Sequence, residues 1–123
     1  MKFGGKERLK SNQRIKALFL TGKVVKSFPL TLRYLPKEES KMLQVAVTVS
    51  KRKFKRAVDR NAIKRQLRAV IREGKSDLQS ILKPGHDVLL IYTGVKKVNF
   101  EVLKTAFEQV LERIELEKMK ENE

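Results

Sequence analysis

The chain is 123 residues long, with 29 Lys and Arg against 14 Asp and Glu, a net charge of +15, no cysteine and a single histidine. That length suits one domain able to bury about two thirds of its unfolded surface, and so large a positive excess favours a polyanionic partner, above all nucleic acid. The composition excludes disulfides and thiolate chemistry, no apolar run is long enough to span a bilayer, and the basic N-terminus lacks the apolar stretch of a secretory signal.

In chain order, Ser11 is placed to cap a short helix on which Ile15, Leu18 and Phe19 share a face, with Gly22 at its end. Phe28, Leu30, Leu32 and Tyr34 alternate with polar residues as in a half-buried strand, with Pro29 at its start or on an edge. A polar loop over Pro36–Lys41 leads to the clearest strand, in which Leu43, Val45, Val47 and Val49 alternate with Gln44, Ala46 and Thr48. A basic helix follows from about Ala57 to Glu73, stopped by Gly74, and Ser76–Leu82 adds a further helical turn. Val88–Tyr92 is continuously apolar, as in a strand covered on both faces. Asn99 caps a last helix with a stripe of Phe100, Leu103, Phe107, Val110 and Ile114, fraying after Leu116. The order describes a compact α+β sandwich, a single domain over residues 1–123 with flexible ends at about 1–7 and 117–123. Helices are expected on one sheet face, and Thr31, Arg33, Gln44 and Thr48 line a partly open one.

The charge has a location. Residues 1–98 carry 25 Lys and Arg against 7 acids, whereas residues 99–123 carry 4 against 7, so the binding surface excludes the last helix. Residues 51–72 alone hold ten cations and one acid, Asp59. At about 100° per residue, Asn61, Lys64, Arg65, Arg68 and Arg72 fall on one arc, while Ile63, Leu67, Val70 and Ile71 fall on another. A merely solvated face interleaves both signs of charge, and this arc holds no acid. Arg60 lies nearer the apolar arc, where it is also suited to anchoring the start of the helix. Lys51, Arg52 and Lys53 crowd like charges in a short loop, which a polyanion relieves.

Catalytic chemistry is missing. His86 stands at the start of a strand with no thiol or paired carboxylate to complete a triad, and no phosphate-binding loop or metal-ligand motif is present.

The run Ala57-Val58-Asp59-Arg60-Asn61-Ala62-Ile63-Lys64-Arg65, continuing to Arg68, resembles the signature of the protein subunit of bacterial ribonuclease P. Val49-Ser50-Lys51-Arg52-Lys53-Phe54 resembles that family's strand-to-loop segment, and Arg8-Leu9-Lys10 with Phe19 and Gly22 resembles its opening helix. The chain departs from the family at Ala62, where an arginine is usual, at Ile15, where a second aromatic is frequent, and at Lys55, which replaces a frequent glycine. The resemblance implies an α-β-β-β-α-β-α sandwich with a left-handed crossover, like a domain of a ribosomal protein. Its fourth strand must come from dividing the Val24–Leu35 region. It implies no catalytic residue in the protein: an RNA subunit holds Mg²⁺ and cleaves precursor tRNA to the mature 5′ end.

On that resemblance, Arg60, Asn61, Lys64, Arg65, Arg68 and Arg72 bind the catalytic RNA. Ile15, Phe19, Arg33, Lys51, Arg52, Lys53, Lys55 and Arg56 border the cleft for the 5′ leader of precursor tRNA. Phe19 serves either as a stacking ring or as core, and Tyr34 shares the packing parity of Leu30 and Leu32. The partners are RNA in the cytoplasm, with no membrane and no small-molecule substrate. The competing reading is a non-catalytic ribosomal or RNA-assembly protein. A DNA regulator ranks third, because no helix-turn-helix or dimer interface is evident.

Overall fold

The computed structural model describes residues 12–37, 43–82 and 85–121. The Arg8-Leu9-Lys10 block, the Ser11 cap, the expected flexible N-terminal end and most of the Pro36–Lys41 loop lie outside the described residues. The elements run α1 (Asn12–Thr21), β1 (Lys23–Ser27), β2 (Leu30–Pro36), β3 (Gln44–Val49), α2 (Ala57–Glu73), α3 (Lys75–Leu82), β4 (His86–Tyr92) and α4 (Phe100–Glu121).

The four strands form one sheet in the order β1-β2-β4-β3. β1 and β2 are an antiparallel hairpin, β2 pairs antiparallel with β4, and β4 pairs parallel with β3, placing Val49 opposite Tyr92. A parallel pair cannot be joined by a tight turn, so the chain crosses from β3 to β4 through α2 and α3. β4 lies between two neighbours, and its Val88, Leu89, Leu90 and Tyr92 are all buried.

The two sheet faces have different covers. Val25, Leu32, Tyr34, Val45, Val49, Val88, Leu90 and Tyr92 join Ile63, Leu67, Val70 and Ile71 of α2 and Leu103, Phe107, Val110 and Ile114 of α4 in the main core. On the opposite face a small cluster of Leu18 and Leu89, flanked by Ile15, Leu35, Ala46 and Ile91, seats α1. α1 is also fixed by Arg14, whose guanidinium donates through Nε (2.9 Å) and Nη2 to both carboxylate oxygens of the fully buried Asp87.

Three expectations change. Phe28 does not belong to the buried stripe of Leu30 and Tyr34: it sits in the β1–β2 turn and is 77% exposed. Alternation continued through a turn mimics a strand, because the period-two pattern cannot register the reversal at Phe28-Pro29. The segment over Ser76–Leu82 is a full helix, α3, starting at Lys75. α4 continues past Leu116 to Glu121, where an ion pair between Lys23 and Glu121 ties its end to β1.

Candidate nucleic-acid interface

α2 is built as its spacing requires. Ile63, Leu67, Val70 and Ile71 are buried, and Asp59 in the first turn complements the positive end of the helix dipole. Arg56, at the N-cap, makes no side-chain capping bond. At the other end the Gly74 N–H donates to the Val70 carbonyl at 3.0 Å. A β-carbon at Gly74 would stand 2.6 Å from the Phe107 ring, so glycine here lets α2 close against α4.

On the outer arc Asn61, Arg65 and Arg72 are exposed, while Lys64 and Arg68 are half-buried. Arg60 stands apart. Its Nη1 donates to the carbonyls of Phe54 (2.8 Å) and Lys55 (2.9 Å), fastening the preceding loop to the first turn. Of the two roles open to Arg60, RNA contact and anchoring of the helix start, the anchoring one is directly visible.

The loop over residues 50–56 is held by its one apolar side chain. Phe54 is buried, with its ring 5.8 Å from that of Tyr92. The Phe54 N–H donates to the Ser50 carbonyl at 3.0 Å. With Phe54 as the plug, the flanking Lys51, Arg52, Lys53, Lys55 and Arg56 are all left exposed. A loose basic tail would have no such anchor.

Because β3 and β4 are parallel neighbours, the segments leaving their C-terminal ends emerge side by side. Lys53 Nζ donates to the Thr93 carbonyl at 2.8 Å, and Lys97 Nζ lies 2.7 Å from the Asp59 carboxylate. The hydrogen bond from Lys97 holds the Asp59 carboxyl below its usual value. Lys96 and Lys97 are both exposed, and they extend the cationic rim. Two lysines in a connecting loop carry little signal in sequence, and only the parallel pairing shows where they go.

On the face crossed by α1, Phe19 is not core: it is 48% exposed. The Arg33 guanidinium carbon stands 5.2 Å from the Phe19 ring centre, a cation–π arrangement, and its Nη1 donates to the Phe19 carbonyl at 3.2 Å. Arg33 Nε is shielded and has no hydrogen-bond partner. Ile15 is half-buried beneath, packed on the Leu18–Leu89 cluster. Tyr34 points into the main core, and burial, then Glu117, raises its phenol above the ordinary value. His86 begins β4 with its ring 6.2 Å from Tyr34.

The structure therefore brings Ile15, Phe19 and Arg33 together on one side of the sheet and the α2 arc on the other. The loop over residues 50–56 leads from β3 into α2 and packs through Phe54 against Tyr92. Sequence reading missed Lys96, Lys97 and the Arg14–Asp87 pair that seats α1.

A cationic rim with no acid–base constellation among the described residues, on an α+β frame with an exposed ring, defines a polyanion-binding protein of the nucleic-acid class. The Ribonuclease P family model matches residues 3–115, and the chain belongs to that family. The ribonuclease P protein component of Streptococcus agalactiae is 36% identical over 105 residues, covering 85% of this chain and 90% of the relative. That of Shouchella clausii is 32% identical over 108 residues, covering 87% and 84%. Among solved structures, the RNase P protein of Staphylococcus aureus has a TM-score of 0.72 at 23% identity, covering 86% of this chain and 93% of that one. The RNase P protein of Thermotoga maritima has a TM-score of 0.69 at 20% identity, covering 87% and 96%. These structural likenesses show a shared fold.

Proposed function

We propose that this chain is the protein subunit of an RNA-based endonuclease that matures the 5′ end of tRNA in the cytoplasm. Its α2 arc docks the catalytic RNA, through Asn61, Lys64, Arg65, Arg68 and Arg72, with Arg60 holding the loop to the helix. Its opposite face takes the 5′ leader of precursor tRNA: Phe19 and Arg33 offer a stacking surface, Ile15 supports it, and Lys51, Arg52, Lys53, Lys55 and Arg56 track the phosphates. The observation that carries this reading is the separation of two nucleic-acid-suited surfaces by one sheet, with a cationic loop at the entry to α2. A subunit that must hold its own RNA and a substrate at once needs such a division. Single-stranded leader requires only a basic groove and a stacking ring, with little sequence demand.

Mg²⁺ belongs to the RNA in this reading. Among the described residues no group of three or more His, Cys, Asp or Glu side chains converges as a metal site requires, so no step is assigned to an ion on the protein.

The test is reconstitution with the cognate catalytic RNA. The protein should promote precursor cleavage at low Mg²⁺, where the RNA alone is slow, and should be inactive by itself. Absence of enhancement together with absence of binding would overturn the proposal. Co-sedimentation with ribosomal particles and no effect on cleavage would favour a non-catalytic RNA-assembly protein.

A further inference from the structure

Phe28 is the most exposed large hydrophobic side chain among the described residues, at 77%. It stands over a groove of about 460 Å³ between the β1–β2 turn and the first half of α4, lined by Phe28, Asn99, Glu101, Val102, Ala106 and Gln109 among others. The side-chain oxygens of both amides are already engaged. Asn99 Oδ1 accepts the Val102 N–H at 3.0 Å, capping α4, and Gln109 Oε1 accepts the Ser27 hydroxyl at 2.6 Å. This fixes both amides and leaves their nitrogens as donors, beside the carboxylate of Glu101 as an acceptor.

The turn is joined to the cationic rim through one residue. The Thr93 N–H donates to the Pro29 carbonyl at 2.8 Å, and the Thr93 carbonyl accepts Lys53 Nζ at 2.8 Å. Lys96 follows on the same loop, exposed. An exposed ring, fixed amide donors, a carboxylate acceptor and adjacent cations are the groups that receive an unstacked nucleobase. An apolar peptide would use the ring and Val102 but would leave the amides and the neighbouring cations unmatched.

We infer that Phe28 and the groove beside it form a second stacking site, distinct from the Phe19 face, that takes one unpaired base of an RNA bound to this protein. The inference rests on the family's RNA binding but not on where the leader lies. The base could come from the catalytic RNA or from tRNA, and the experiment separates them.

The sequence has no tryptophan, so Phe28→Trp creates a single tryptophan, excitable apart from Tyr34 and Tyr92, that preserves stacking. The full-length variant is titrated with catalytic RNA, and the assembled complex is then titrated with precursor tRNA or mature tRNA. Assembly is followed independently by gel shift. Quenching on addition of catalytic RNA assigns the base to that RNA, and quenching only in the second stage assigns it to tRNA. Phe28→Ala should weaken affinity for the same RNA by about tenfold, with Phe28→Trp near wild type. Because the side chain is exposed, both variants should fold. Complex that assembles normally while the tryptophan stays unquenched in every arm, with Phe28→Ala binding as wild type, would overturn the inference and leave the family reading standing. Failure of any RNA to bind the wild-type protein would remove both.

Discussion

Arg14 and Arg60 add to the chain's positive charge, yet each guanidinium makes contacts inside the protein. Arg60 holds two carbonyls of the loop before α2, and Arg14 grips the buried carboxylate of Asp87. A charge count treats them like Arg65, which is exposed. The distinction matters for mutation. Asp87 is fully buried, so removing Arg14 strands a carboxylate in an apolar layer. Arg14→Ala should therefore destabilise the fold by about 3 kcal/mol, the lower end of what a broken buried pair costs, because the Arg14 side chain itself keeps 29% exposure. Urea unfolding would measure the loss. Nothing in the composition near His86-Asp87 announced this pair, because its partners are 73 residues apart.

α2 shows what periodicity can establish. Its limits at Ala57 and Glu73, its four buried residues and its outward arc all follow from the 3.6-residue repeat, whatever it packs against. Arg65→Ala with Arg68→Ala should weaken catalytic-RNA binding and flatten the dependence of log affinity on log salt. The slope should fall by up to about 0.9 for each duplex phosphate that the variant no longer neutralises. A salt titration checks this, and an unchanged slope would place the RNA elsewhere. Strand alternation served less well. It established β3 and β2, but it carried Phe28 into a strand that begins only at Leu30, and it did not separate β1, whose division from β2 came from the family resemblance. A strand pattern of period two runs through a turn without breaking, whereas a helix announces its ends by caps and glycine.

Across the whole molecule the charges are sorted by layer. The loops at the C-terminal ends of β3 and β4 and the outer arc of α2 are cationic. By contrast, a groove of about 390 Å³ between α3 and α4 is bordered by Asp77, Glu108, Glu112 and Glu115. Three of the seven acids of residues 99–123 stand in that groove. With Debye screening of about 8 Å at physiological salt, carboxylates in that groove should act only weakly on RNA held at the rim. Glu112→Gln with Glu115→Gln should leave catalytic-RNA affinity at about 0.15 M salt nearly unchanged, whereas the α2 double variant loses it. A filter-binding comparison of the two variants tests the assignment of faces. Strong tightening in the acidic variant would mean that the RNA reaches the groove between α3 and α4.

The sequence by itself determined where the main helices lie, the sign and location of the excess charge and, through three motif blocks, the family. These are local properties, set by spacing and residue type over a few turns of chain. Only the tertiary structure decided that the α2 arc and the Phe19–Arg33 face lie on opposite sides of one sheet. It also decided that Lys96 and Lys97 join the loop over residues 50–56 at one end, and that Phe28 stands in solvent. The parallel pairing of β3 with β4 and the antiparallel pairing of β4 with β2 fix those neighbours. Strand pairing is a contact between residues far apart in the chain, and no local pattern encodes which partner a strand will take.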